Sequence, residues 1–200
     1  KDIGGEAPSA DHIQTILAAA SRVPDHNKLC PWWFVVFEGE ARVKFGAVLS
    51  AAFARENPDA APAKLELESE RFTRAPLVIA VISRIKRGKA PAWEQMLSSG
   101  AACYNLCLAA NALGYATNWL TEWPAYNEDV RKALGCDDRD NIAGFVYIGQ
   151  QLQKPEDRPR PVLSDIVTPW VDGYAPHKGE AHEKADLSLP IAGFRLCSDK

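Results

Sequence analysis

No run of 18 apolar residues appears in the chain, and no charged-then-apolar leader opens it, so nothing argues for membrane insertion or export. Positive charge is not in excess either. Lys and Arg total 23 against 26 Asp and Glu, a formal net charge of -3, which offers no basic face to a phosphate backbone and sets nucleic acid aside as a partner. The five cysteines, Cys30, Cys103, Cys107, Cys136 and Cys197, form no CxxC and no short pairing with histidine. Neither a zinc site nor a disulfide framework is indicated, and reduced thiols in a cytoplasmic protein are expected. Phosphate cradles are missing: there is no GxGxxG after a strand and no GxxxxGK followed by Ser or Thr. There is no GxSxG elbow, and the four histidines make no HExxH, which leaves hydrolase and metalloenzyme readings weak.

What is there is a 200-residue chain with 46% hydrophobic and 24% charged residues, enough for about one domain with its own core. A helix is predicted after Ser9 as N-cap, with Ile13, Ile16, Leu17, Ala20 and Val23 on one stripe. Trp32 to Phe37 reads as a buried strand, Ala41 to Arg55 as a helix, and Lys64 to Phe72 as a third, charged helix. The unbroken apolar run Leu77 to Ile82 suits a strand covered by helices on both faces. The basic turn Arg84 to Lys89 reads as a solvated loop or the flank of an anionic ligand. Trp93 to Leu113 is apolar nearly all round and belongs in the centre of the fold or at a subunit interface, with Gly114 closing it. A strand over Tyr115 to Thr121, a helix over Asn127 to Leu134 and a strand over Ile142 to Ile148 follow. From Gln151 the chain turns proline-rich and then irregular. Its apolar groups Trp170, Tyr174, Phe194 and Leu196 need a surface to lie on, and a partner subunit is the expected one.

The most informative segment is Arg22 to Val36, where a helix end passes through the polar turn Pro24-Asp25-His26 into an apolar strand. Such a turn puts hydrogen-bonding groups at the lip of a core, where ligands bind. On the residues alone, an Asp25 that merely caps the turn and a solvated His26 account for it equally well. Asn118-Trp119-Leu120-Thr121 ends the strand after the long helix, and Arg158 and Arg160, whose planar forks suit phosphate, lie in the extended arm.

These positions, in order, resemble a family. Pro24-Asp25-His26 with Pro31-Trp32 and a Phe-Val-Val strand, Arg74-Ala75-Pro76, the run Gly100 to Gly114 and Gly144 to Gly149 are similar to the FMN-dependent nitroreductases, and among them to the small YdjA-like subgroup, over roughly residues 8 to 170. The resemblance implies an α+β fold with a central, mostly antiparallel sheet wrapped by helices, and an intertwined homodimer with one FMN in each of two interface sites. It implies a single FMN-binding domain over 1–170, with 171–200 as an irregular extension. It assigns cofactor contacts to Arg22, Pro24, Asp25 and His26, in part from the partner subunit, to Asn118, Trp119, Leu120 and Thr121 beside the isoalloxazine, and to Arg160 as a supplement at the phosphate. The Arg-Arg-Ser segment with which the subgroup holds that phosphate is expected to lie before Lys1. Cys30 stands where the family often has Gln. The activity implied is transfer of two electrons from NAD(P)H through the flavin to a nitroaromatic, quinone or similar small-molecule acceptor, with no side chain required as a catalytic acid. The alternative is a flavin-binding or sensor protein of the same fold without physiological turnover.

Overall fold

The structure, a computed structural model, describes residues 3–173. The expectations for Tyr174, Phe194 and Leu196 lie outside the described residues. Two compact units are distinguished, one of residues 3–153 and the other running on from Lys154.

In the first unit, strands β1 (Ile3–Gly4), β2 (Trp32–Glu38), β3 (Leu77–Ser83), β4 (Ala116–Leu120) and β5 (Asn141–Gln151) form one sheet. The order is β4-β5-β3-β2, with β1 paired to the far end of β5, and every pairing is antiparallel. All seven residues of β3 are buried, as an apolar run with no polar alternation requires. Its odd-numbered members Leu77, Ile79 and Val81 pack with Ile13, Ile16, Ala102, Cys103 and Leu106, from helices α1 (Ala10–Ala20) and α4 (Ala92–Ala112). Its even-numbered members Val78, Ala80 and Ile82 pack with Phe45, Leu49 and Ala52 of α2 (Glu40–Glu56) and Val130 of α5 (Glu128–Ala133). Period-two alternation on one strand thus feeds two cores, with helices on both faces of the sheet.

Local sequence explains the element ends. Ser9 accepts a hydrogen bond from the His12 N–H and opens α1. Asn127 accepts from the N–H groups of Asp129 and Val130 and opens α5. Gly114, at φ +87°, stops α4 in a conformation few other residues adopt. The expected third helix is shorter: α3 (Pro62–Ser69) gives way to a 3-10 turn over Arg71–Arg74. The two-residue β1 was not expected, being too short for any periodicity to mark.

Among the described residues no helix is long and apolar enough to cross a membrane. The second unit contains one helical turn, α6 (Leu163–Ile166), where an irregular segment was expected.

Candidate functional site at one end of the sheet

Between α1 and β2 the chain makes a strained turn. Asn27, Lys28 and Cys30 all have left-handed backbones, with φ of 65°, 54° and 47°, without glycine's freedom to adopt them. Asp25 holds this path, one carboxylate oxygen accepting from the Leu29 N–H at 2.9 Å and the other from the Cys30 N–H at 2.7 Å. Helix α4 clamps both ends: Ser98 donates its hydroxyl to the Pro24 carbonyl at 2.6 Å, and Ser99 to the Pro31 carbonyl at 2.9 Å. His26 Nδ1 lies 2.6 Å from Glu94 Oε2, on the first turn of the same helix. The Arg22 guanidinium is exposed and meets no acceptor among the described residues.

The second expected cluster is on β4. Asn118 is paired with Tyr147, Trp119 with Val146 and Leu120 with Phe145. Val146 belongs to the core under α1 and α4, whereas Tyr147 and Phe145 belong to the opposite core. Strand alternation therefore turns Trp119 to the α4 face, and Asn118 and Leu120 to the other. Trp119 stays 40% exposed while its indole N–H donates to the Ala143 carbonyl at 3.0 Å. A Cβ on Gly144 would lie 2.1 Å from Trp119 Nε1, so only glycine lets the indole come this close to β5.

Directly after β4, Glu122 takes a left-handed φ of 50° over a buried ion network that the sequence pattern does not mark. Its carboxylate accepts from Arg71, which also pairs with the fully buried Glu68. Glu68 accepts from the Trp123 indole N–H at 2.8 Å, and Lys64 Nζ lies 2.8 Å from its other oxygen. Burial alone would raise the Glu68 carboxyl, but the hydrogen bonds from Lys64, Trp123 and Arg71 outweigh it and hold its pKa below the usual carboxylate value. Burial likewise works against the Arg71 charge, and Glu122 and Glu68 more than restore it. The thiol nearest the core is inert: burial pushes Cys103 up to about 12.

The ends of these elements meet on one side of the sheet. Because β4 and β3 both run against β5 and β2 runs against β3, the C-terminal ends of β4 and β3, the start of β5 and the start of β2 share that side. The turn at 22–31 and the Asn118–Thr121 segment nonetheless stand apart, with β5 and β3 between β4 and β2. Three strand spacings put them about 14 Å apart. Arg160 belongs to the second unit, where its guanidinium donates to Asp157 at 3.0 Å and to the Arg158 carbonyl at 2.9 Å. Among the described residues no cluster of three His, Cys, Asp or Glu side chains could hold a metal ion.

Comparison with known proteins agrees with this architecture. Residues 5–150 match the model of the Nitroreductase family. A Haemophilus influenzae protein, provisionally named an NAD(P)H nitroreductase, is 37% identical over 171 residues, 84% of this chain and 92% of its own length. Escherichia coli YdjA, provisionally named in the same way, is 40% identical over 149 residues, 72% of this chain and 78% of its own. Among solved structures, a nitroreductase-like family protein from Bacillus cereus superimposes with a TM-score of 0.73 at 22% identity, covering 85% of this chain and 88% of that one. The FMN-dependent nitroreductase NfnB from Mycobacterium smegmatis, solved in complex with NADPH, gives a TM-score of 0.65 at 19% identity, covering 84% and 90%. The chain belongs to the nitroreductase family, and its fold is the nitroreductase fold.

Proposed function

We propose that the chain is an FMN-dependent oxidoreductase working as a homodimer, which takes two electrons from NAD(P)H and delivers them to a nitroaromatic, a quinone or a similar small acceptor. The observation that carries this reading is the split site. Two clusters at the same end of the sheet stand too far apart in one chain to grip a single ring system, while α4 exposes Trp93, Leu97, Tyr104 and Leu108 along one stripe. A second copy packed on that stripe would bring its own turn to this chain's β4 end. The NAD(P)H in the names of the H. influenzae and E. coli relatives, together with the FMN dependence of M. smegmatis NfnB and its complex with NADPH, supports the choice of cofactor and donor.

The residues present suit FMN. Arg22 offers an unpaired cation, the turn offers polar groups around a fixed backbone, and Trp119 offers a half-open ring whose N–H is already engaged. When bound, FMN supplies the two-electron chemistry, and the protein's part is to orient it and tune its surroundings. Both Asp25 oxygens are committed to backbone N–H groups, so Asp25 holds the turn, while Glu94 engages His26 at Nδ1 and orients its ring.

The test is an absorbance spectrum of the purified protein before and after NADPH. A flavin spectrum that bleaches, then returns on adding nitrofurazone or a quinone, is expected. Flavin that never bleaches would favour a binding module. Arg22→Ala should lower the flavin content of the purified protein severalfold, and unchanged content would remove Arg22 from the site.

A further inference from the structure

The β3–α4 loop carries Arg84, Lys86, Arg87 and Lys89 and borders two adjoining open clefts, of about 660 and 400 Å³, both of which Arg139 also lines. Such a run is ordinarily a mobile solvated loop, but here its path is fixed. Gln95, buried on α4, accepts from the Lys86 N–H at 2.9 Å and donates to the carbonyls of Lys86 and Ala90 at 3.0 and 3.1 Å. Arg84 is spoken for, with its guanidinium over the Trp33 ring and near Asp140. Asp137, the other acid in the larger cleft, pairs with Arg139. The side chains of Lys86, Arg87 and Lys89 meet no anion among the described residues. With Asp140 and Asp137 paired, these exposed cations and Arg139 leave the clefts with an excess of positive charge that attracts an anion.

The loop also touches the candidate site. The Arg84 N–H donates to the Pro31 carbonyl at 2.9 Å, and Gln95 adjoins the Glu94 that holds His26. We propose that Lys86, Arg87 and Lys89 form a phosphomonoester subsite that reads the 2′-phosphate of the nicotinamide donor, making the protein selective for NADPH over NADH. This rests on the oxidoreductase reading for the donor, though not for the anion site itself. A guanidinium fork and two ammonium groups lining one cleft suit a dianionic phosphate, the fork by bidentate hydrogen bonds and the ammonium groups by charge.

The experiment compares 2′,5′-ADP with 5′-AMP by calorimetry, on the full chain and on a K86A/R87A/K89A variant, together with flavin content and kcat/KM for both donors. The full chain should bind 2′,5′-ADP at least tenfold tighter than 5′-AMP. The variant should lose that difference, its NADPH/NADH ratio of kcat/KM should fall about tenfold, chiefly through KM, and its flavin content should hold. Equal affinity for the two nucleotides, or a preference that survives the triple substitution, overturns the proposal. Loss of flavin from the variant also overturns it, because the loop would then be serving the phosphate of FMN. A full chain that prefers 2′,5′-ADP yet is never bleached by either donor keeps the subsite and sinks the oxidoreductase reading instead.

Discussion

Asp25 spends both carboxylate oxygens on the backbone of a turn in which three residues without glycine's freedom are left-handed, so its contribution is to make a strained loop the stable one. Asp25→Ala leaves two N–H groups without their acceptor and should cost about 2 kcal/mol in denaturant unfolding, with a parallel drop in bound flavin. Asp25→Asn keeps one carbonyl acceptor and should fall between. At the other cluster, Gly144→Ala must displace the Trp119 indole or lift β4, and a loss of about 2 kcal/mol or more is expected. In a Trp119→Ala background the clash with the indole is gone, while the strain of an L side chain at φ +153° and the Leu120 carbonyl 3.0 Å from the new Cβ remain, so the same change should cost less but not nothing, which a double-mutant cycle would read directly. Asp25 and Trp119 were both legible in the sequence as candidates. The clamps on the turn and on the indole were not, because Ser98 on the Pro24 carbonyl, Glu94 on His26 and the Ala143 carbonyl under Trp119 meet them only through tertiary packing.

Among the helices and strands, the long α4 and the uniformly apolar β3 were readable from periodicity, since burial on one or two faces imposes its period on the chain. The segment from Lys64 to Arg74 was not readable as it folds. Its charges look solvated, yet Glu68 and Arg71 are buried beneath the β4 exit and tie α3 to Glu122. The i,i+3 spacing of that pair was visible, but nothing in a charged helix marks which face the fold covers. Arg71→Ala leaves the Glu68 carboxylate buried with Lys64 as its one cation and the Trp123 N–H as its other donor, and should cost about 3–5 kcal/mol. The Glu68 pKa is lower in the folded than in the unfolded state, so the stability it contributes is present above the ordinary glutamate range and is lost as pH falls through the folded value. A Glu68→Gln variant should therefore show a flatter acid limb in a plot of stability against pH. An unchanged limb would assign the acid sensitivity to other carboxylates.

Across the molecule as a whole, the two faces of α4 divide the labour. Ser99, Ala102, Cys103, Leu106 and Ala110 pack on the sheet, while Trp93, Leu97, Tyr104 and Leu108 stay exposed at intervals of four, seven and four residues. An exposed apolar stripe of this length on a helix is the kind of surface that a second subunit covers. Leu97→Glu puts a charge in the middle of it and should shift the protein to single chains, with flavin lost in proportion, while thermal unfolding shows that the monomer fold persists. If the split site is completed across that surface, flavin binding requires two chains. Size-exclusion chromatography with in-line light scattering and visible absorbance, run on protein incubated with FMN, is the decisive measurement. One peak is expected, at the mass of two chains and carrying one FMN per chain. A single-chain peak that holds flavin, or a two-chain peak that takes up none, would contradict it.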